Sequence, residues 1–234
     1  NGKVEALENK IAPKWEKWQD PKLPQGGRGV AIKKAQYAPD LLVEDALRFI
    51  HDSHVAEKPF FLFFSMNVPH ANNEAGNQGM EVPELYEFED KDWPEPEKGF
   101  AAMLRNIDRD TGLILDLIHR LGIAEETLVI FTSDNGPHQE GGHRADFFNS
   151  NGPYRGIKRD LYEGGIRVPT IAWWPDTIKP GTTNKNQWYF GDLMATAAEL
   201  AETTVPKDID SDSFLQTLKG NPPEKERTRE SLLY

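Results

Sequence analysis

Apolar residues along this chain fall into a few blocks separated by long polar stretches, and each block has its own rhythm. Leu42, Val43, Ala46, Leu47, Phe49 and Ile50 recur at three- and four-residue steps, which predicts one helix opened by Pro39-Asp40 with Asp40 as N-cap. Phe60-Phe61-Leu62-Phe63-Phe64-Ser65-Met66 is continuous rather than periodic, the pattern of a strand buried on both faces, as in a parallel sheet. Phe100, Met103, Leu104, Ile107, Thr111, Ile114, Ile118 and Leu121 keep helical spacing, with charged residues mostly opposite and Gly122 as the stop. Thr127 to Thr132 reads as a second buried strand, Val168 to Trp174 as a third apolar run, and Asp192 to Ala201 as a last helix.

The stretches between the blocks differ in kind. Residues 1–37 are charged and rich in turns, including Gly26-Gly27-Arg28-Gly29, and read as a surface-loop region ahead of the first helix. Asn67 to Glu97 is rich in Pro, Gly, Asn and acids and is long for a simple connection, the length at which loops are functional or mobile. Strand, loop, helix, strand is a βαβ rhythm, so the expected fold class is α/β, a mostly parallel sheet sandwiched by helices. Ligands in such folds gather beyond the carboxyl ends of the strands, where His70 and Asp134-Asn135 fall.

Composition narrows the functions. The 234 residues carry 27 basic and 38 acidic side chains, a net charge of −11, which disfavours a general nucleic-acid binder. With no cysteine there is no disulfide framework, thiolate zinc site or cysteine nucleophile. No apolar run approaches the ~18 residues of a spanning helix. The first residues, Asn1-Gly2-Lys3-Val4, lack an initiator Met and a signal-peptide pattern, so the chain is expected to begin mid-protein. Neither nucleotide-binding glycine motif nor an H-E-x-x-H zinc motif is present.

What remains is one dense polar block. It runs Thr132-Ser133-Asp134-Asn135-Gly136-Pro137-His138, then Gly141-Gly142-His143, then Gly156-Ile157-Lys158-Arg159-Asp160-Leu161-Tyr162-Glu163-Gly164-Gly165-Ile166-Arg167-Val168-Pro169, where Arg155, Arg159 and Asp160 make a charged surrounding for Lys158. A carboxylate and an amide oxygen side by side at a strand end are hard ligands suited to Ca²⁺ or Mg²⁺, although an isolated Asp-Asn-Gly is ordinarily a turn. His138 and His143, five apart in a glycine-rich loop, make a weak metal-like pair, whereas His51, His54 and His119 read as solvated. Glu163 and Arg167 read as fixing the turn around Gly164-Gly165, where glycine permits positive φ.

The block resembles the sulfatase family of the alkaline phosphatase superfamily, in which a strand ends in Ser-Asp-Asn-Gly and is followed by Gly-x-Lys and Tyr-Glu-Gly-Gly-x-Arg-x-Pro. The resemblance extends from about Tyr37 to Tyr234, through Lys58-Pro59-Phe60-Phe61-Leu62, Pro69-His70, Arg155-Gly156-Ile157-Lys158 and Asp192-Leu193-Met194-Ala195-Thr196. It implies that Asp134 and Asn135 are ligands of a Ca²⁺ ion holding a sulfate ester. Lys158 would touch a sulfate oxygen, His70 would sit at the bridging oxygen as a catalytic acid or base, and His138 would contact substrate.

The family's nucleophile is a formylglycine made from a Cys/Ser-x-Pro-Ser-Arg motif, and neither that motif nor the paired-Asp metal motif of the family's N-terminal part occurs in these residues. The chain is therefore expected to be the C-terminal part of a sulfatase catalytic domain, residues 1–234, ending near Leu232-Leu233-Tyr234 where the smaller sheet domain begins. The resemblance implies a sulfated small molecule or sugar as partner and a periplasmic, extracellular or lysosomal location. It implies no nucleic acid and no membrane span, while the truncated sheet predicts self-association. Two alternatives stand beside it: a phosphodiesterase or phosphonate hydrolase of the same superfamily, and a noncatalytic cation- or glycan-binding module.

Overall fold

A computed structural model describes residues 7–18 and 29–221, with the side chains of 16–18 left aside. The predicted turn at 26–28 and the end at 232–234 lie outside the described residues. The chain forms two compact units, one of Asn1–Leu121 with Pro137–Gly165 and the other of Gly122–Gly136 with Ile166–Tyr234.

In the first unit the expected surface-loop region contains a short antiparallel ladder, β1 (Lys10–Ile11) against β2 (Ala31–Lys33). The first helix, α1, spans Ala38–Val55 and buries Val43, Ala46 and Ile50, one face at i, i+3 and i+7. Leu42 and Phe49 fall off that face and are exposed. Asp40 is not the N-cap: the helix starts two residues earlier, Pro39 occupies its first turn, and Tyr37 is the capping residue. The Asp40 carboxylate instead accepts from the Arg109 guanidinium at 2.7 Å, tying α1 to the next helix.

That helix, α2 (Glu95–Arg120), begins five residues before the predicted Phe100. Pro96 has no N–H to lose in a first turn, and Glu95 and Glu97 oppose the positive end of the helix dipole. Phe100 and Met103 pack into a core with Val68, Ala71 and Met80, and Tyr37, Val82, Ile107 and Phe148 close around it. Much of the long connection is thus ordered: it supplies core residues and two 3₁₀ turns, Asn73–Gln78 and Tyr86–Phe88. The Asn72 side chain caps the first of these by accepting the Glu74 N–H at 3.2 Å.

Phe60 to Met66 is not a paired strand. The segment is extended with strictly alternating exposure: Phe60, Leu62, Phe64 and Met66 are half-buried, while Phe61 is 74% and Phe63 64% exposed. A strand buried on both faces needs neighbours on each side, and among the described residues none hydrogen-bonds along it. The mostly parallel sheet is likewise not formed among the described residues, whose two sheets are both antiparallel pairs. The segment ends at a cis Val68-Pro69 bond, followed by His70.

In the second unit β3 (Val129–Thr132) pairs antiparallel with β4 (Thr170–Trp173), in register from Val129↔Trp173 to Thr132↔Thr170. The one-turn helix α3 (Glu163–Ile166) precedes β4 in the chain. Beyond β4 come α4 (Asp192–Leu200) and α5 (Leu215–Leu218). The fully buried Asp192 accepts backbone N–H groups of Asp212 at 2.9 Å and Tyr189 at 3.3 Å, and Thr196 Oγ1 accepts from Phe214 N at 3.1 Å. The Asp192-to-Thr196 segment therefore serves to dock residues 210–214 on α4. No helix among the described residues is long and apolar enough to cross a membrane.

Candidate functional site

Backbone hydrogen bonds bring three separated segments of the first unit together. His138 bridges two of them: its Nε2–H donates to the Pro69 carbonyl at 2.8 Å, and its Nδ1 accepts the Glu140 N–H at 3.1 Å. The third segment joins through the Lys158 N–H, which donates to the Pro137 carbonyl at 2.8 Å. His70, Glu140 and Lys158 are thereby held on adjoining backbone.

Their side chains meet on the Glu140 carboxylate. Oε2 lies 3.1 Å from Lys158 Nζ and 3.6 Å from His70 Nε2, and Oε1 accepts from Arg159 at 2.6 Å. Glu140 is almost enclosed, with 9% of its side chain exposed. Burial pushes its carboxyl up, but the hydrogen bonds and charges of Lys158 and Arg159 outweigh this and hold it below the ordinary glutamate value. Both His70, whose Nδ1 meets the Ala71 carbonyl at 2.8 Å, and Arg159 stay open to solvent. The site is a pair of cations and an imidazole around one fixed negative charge.

Burial lowers the basicity of His138, and protonation would also cost it the Nδ1 acceptor that Glu140 N–H uses. Its ring lies 6.2 Å from that of His70 at an interplanar angle of 29°. With both nitrogens engaged and the residue buried, His138 braces the segment bearing His70. His143 is also a brace. Its ring stacks on Phe100 at 3.7 Å, and its Nδ1 pairs at 2.5 Å with Glu97, whose other oxygen accepts the Arg144 N–H at 2.9 Å. The two histidines make separate bonds rather than presenting a shared metal pair.

The Gly164-Gly165 turn has a different cause from the expected one. Positive φ occurs at Gly156, +91°, and not at Gly164 or Gly165. Those two are glycines because the backbone approaches them closely: a Cβ would lie 2.1 Å from the Gly156 oxygen at position 164 and 2.2 Å from the Asp160 oxygen at position 165. This packing folds α3 onto the segment that carries Lys158.

Asp134 and Asn135 follow β3 in the second unit. Ser133 Oγ donates to the Asn135 carbonyl at 3.2 Å, Asp134 is exposed and Asn135 half-buried. Their side chains are hard oxygen donors, the chemistry Ca²⁺ prefers, and would amount to two of the six to eight positions such an ion fills. Among the described residues no three His, Asp or Glu side chains gather as a metal-binding group. His51, His54 and His119 are exposed or partnered at the surface as expected.

Sequence reasoning missed Glu140, Arg159 and Glu97. The first two lie inside the polar block, two residues from His138 and one from Lys158, so an acid placed between proposed cationic groups was the available signal. Glu97 falls at the end of the stretch that reads as a loop, although Pro96 beside two acids is a helix-start pattern.

The sequence matches the Sulfatase family model over residues 6–203. N-acetylgalactosamine-6-sulfatase of Mus musculus is 36% identical over 188 residues, which cover 77% of this chain and 32% of the mouse protein. The chain thus spans about a third of the length of the curated relatives it matches. Among solved structures, Ps i-CgsB superposes with a TM-score of 0.70 at 24% identity, over 89% of this chain and 45% of that one, which shows the α/β fold. The PsFucS1 sulfatase from Pseudoalteromonas sp. matches at 28% identity with a TM-score of 0.60, over 77% of this chain and 34% of its own.

Proposed function

The chain belongs to the sulfatase family, and on that premise we infer that the intact protein is a sulfuric-ester hydrolase. The observation that carries the reading is the meeting of His70 and Lys158 on one carboxylate, 3.6 and 3.1 Å from the same Glu140 oxygen. Lys158 is the group that takes a sulfate oxygen: its ammonium opposes the negative charge that repels a nucleophile and that grows as the S–O bond breaks. His70, with Nε2 at the solvent-open side, is placed to give a proton to the departing alcohol oxygen. Its Nδ1 contact with the Ala71 carbonyl orients the ring for that transfer. Glu140 keeps both groups in place, with its carboxylate 3.1 Å from Lys158 and 3.6 Å from His70.

Asp134 and Asn135 fit a Ca²⁺ ion by donor chemistry, and they would hold it with further oxygen ligands. Bound there, the ion would supply positive charge to an oxygen it coordinates. His138, first expected to touch substrate, fits the role of a positioning residue better, because both of its ring nitrogens are spent within the protein. A periplasmic, extracellular or lysosomal location accompanies the family assignment as part of the same proposal.

The test is release of inorganic sulfate from an activated aryl sulfate by the full-length protein. Turnover of the sulfate ester above that of the matching phosphate diester supports the reading. The opposite preference replaces it with a phosphoryl-transfer enzyme of the same fold, and binding of Ca²⁺ or glycan without turnover of either ester replaces it with a noncatalytic module.

A further inference from the structure

A cavity of about 690 Å³ opens in the first unit between the 3₁₀ turn at 73–78 and the loop at 139–146. Its wall includes Gln139 and Ile157, the chain neighbours of Glu140 and Lys158, so it adjoins the cluster assigned to the sulfate end. The volume lies within the ~300–1,000 Å³ of small-molecule sites. Its lining does not resemble the usual one. Such sites are walled mainly by aliphatic and aromatic side chains, whereas here only Ala145 and Ile157 of the lining side chains are apolar.

The amides of Asn73, Asn77 and Gln139 all line this space, and none makes a side-chain hydrogen bond among the described residues. Each presents a donor and an acceptor on one planar group, which complements a hydroxyl, itself donor and acceptor. The glycines at 141 and 142 keep the floor low, since a Cβ at 142 would lie 2.5 Å from the Asn77 carbonyl oxygen. The loop carrying this wall is fixed from beneath by the buried Glu97–His143 pair, with Glu97 also accepting the Arg144 N–H. Gln139 is therefore presented by a braced loop, with Asn73 and Asn77 on the 3₁₀ segment across the cavity.

We propose that this cavity is the subsite for the alcohol part of the substrate and that the alcohol is a sugar, a polyhydroxylated ring rather than a steroid or a simple aryl group. The proposal rests on the sulfatase reading for the sulfate end and adds the chemical class of the leaving group. An apolar ring placed here would strip three exposed amides of water and gain little apolar contact in return. A sugar ring satisfies them with its hydroxyls.

The experiment compares two esters on the full-length protein, N-acetylgalactosamine 6-sulfate and 4-nitrophenyl sulfate, in wild type, Asn77→Leu and Gln139→Leu. The ratio of the two kcat/KM values, sugar over aryl, is expected to fall at least ~10-fold in each variant, as when a hydrogen-bonding group of a polar site is replaced by an apolar one. A general loss of folded protein lowers both rates and leaves the ratio where it was. An unchanged ratio overturns the subsite while leaving sulfate hydrolysis standing. If neither ester is hydrolysed, the sulfatase reading fails, and the cavity is judged by titrating the chain with unsulfated N-acetylgalactosamine and following the side-chain amide NMR signals of Asn73, Asn77 and Gln139. Saturable shifts at those signals support the sugar site, and their absence overturns it.

Discussion

Replacing Glu97 by alanine removes the carboxylate under the loop that carries Glu140. In the intact structure Glu97 and His143 are 1% and 0% exposed, 2.5 Å apart, and Glu97 also accepts the Arg144 N–H at 2.9 Å. Truncation leaves the imidazole Nδ1 without its partner inside the protein, at ~1–3 kcal/mol for a buried unsatisfied group. It also frees the Arg144 N–H, which reaches solvent more readily, and leaves a void where the side chain was. Together the unpaired imidazole nitrogen and the void place Glu97→Ala at ~2–5 kcal/mol. The assay is urea denaturation followed by tryptophan fluorescence, with Glu97→Ala, His143→Ala and the double variant. The denaturation slope is expected to stay constant while the midpoint falls, and the double variant should lose less than the sum of the singles. A loss under ~1 kcal/mol for Glu97→Ala, or strict additivity, would refute the idea that this pair braces the loop.

Because His138 has a folded-state pKa below its ordinary value, the unfolded chain takes up the proton first; its contribution to stability is intact above about pH 6.5 and is lost as pH falls below that value. His138→Gln should flatten that limb of stability against pH, and an unaltered limb would contradict the assignment. Gly112 lies inside α2 with nothing within 4 Å of an added Cβ, so Gly112→Ala should stabilise by ~0.5–1 kcal/mol. Gly164→Ala should destabilise, and similar melting of the two variants would count against the close-approach argument. Phe61 and Phe63 present adjoining exposed aromatic surface, so the 234-residue chain should self-associate in sedimentation experiments and shift toward monomer with lysine at both positions. A wild-type chain that stays monomeric would sink this last expectation.

Periodicity made the helices legible. Val43, Ala46 and Ile50 in α1 and Phe100, Met103 and Ile118 in α2 lie on the buried faces their spacing predicts. The start of α2 is signalled by Pro96 between two acids, but the apolar periodicity that marks the helix begins only at Phe100. Strand direction was not legible, because an apolar run records burial and says nothing of its neighbour's direction; β3 and β4 are antiparallel, and the run from Phe60 has no partner among the described residues. The likeness of motifs singled out His70 and Lys158, and these come together. Glu140, which joins them, is an ordinary acid in a polar loop, and only the folding of three segments onto one backbone patch gives it that role.

The central claim is that Lys158 and His70 act on a sulfate ester, and the most direct measurement is the turnover of an activated aryl sulfate by full-length protein carrying Lys158→Ala. Losing one preorganised charge contact to the transition state costs ~3–4 kcal/mol, so kcat should fall ~100-fold or more while the variant unfolds at the wild-type urea midpoint within ~1 kcal/mol. Turnover near the wild-type rate would show that the lysine merely pairs with Glu140 and that the active site lies elsewhere.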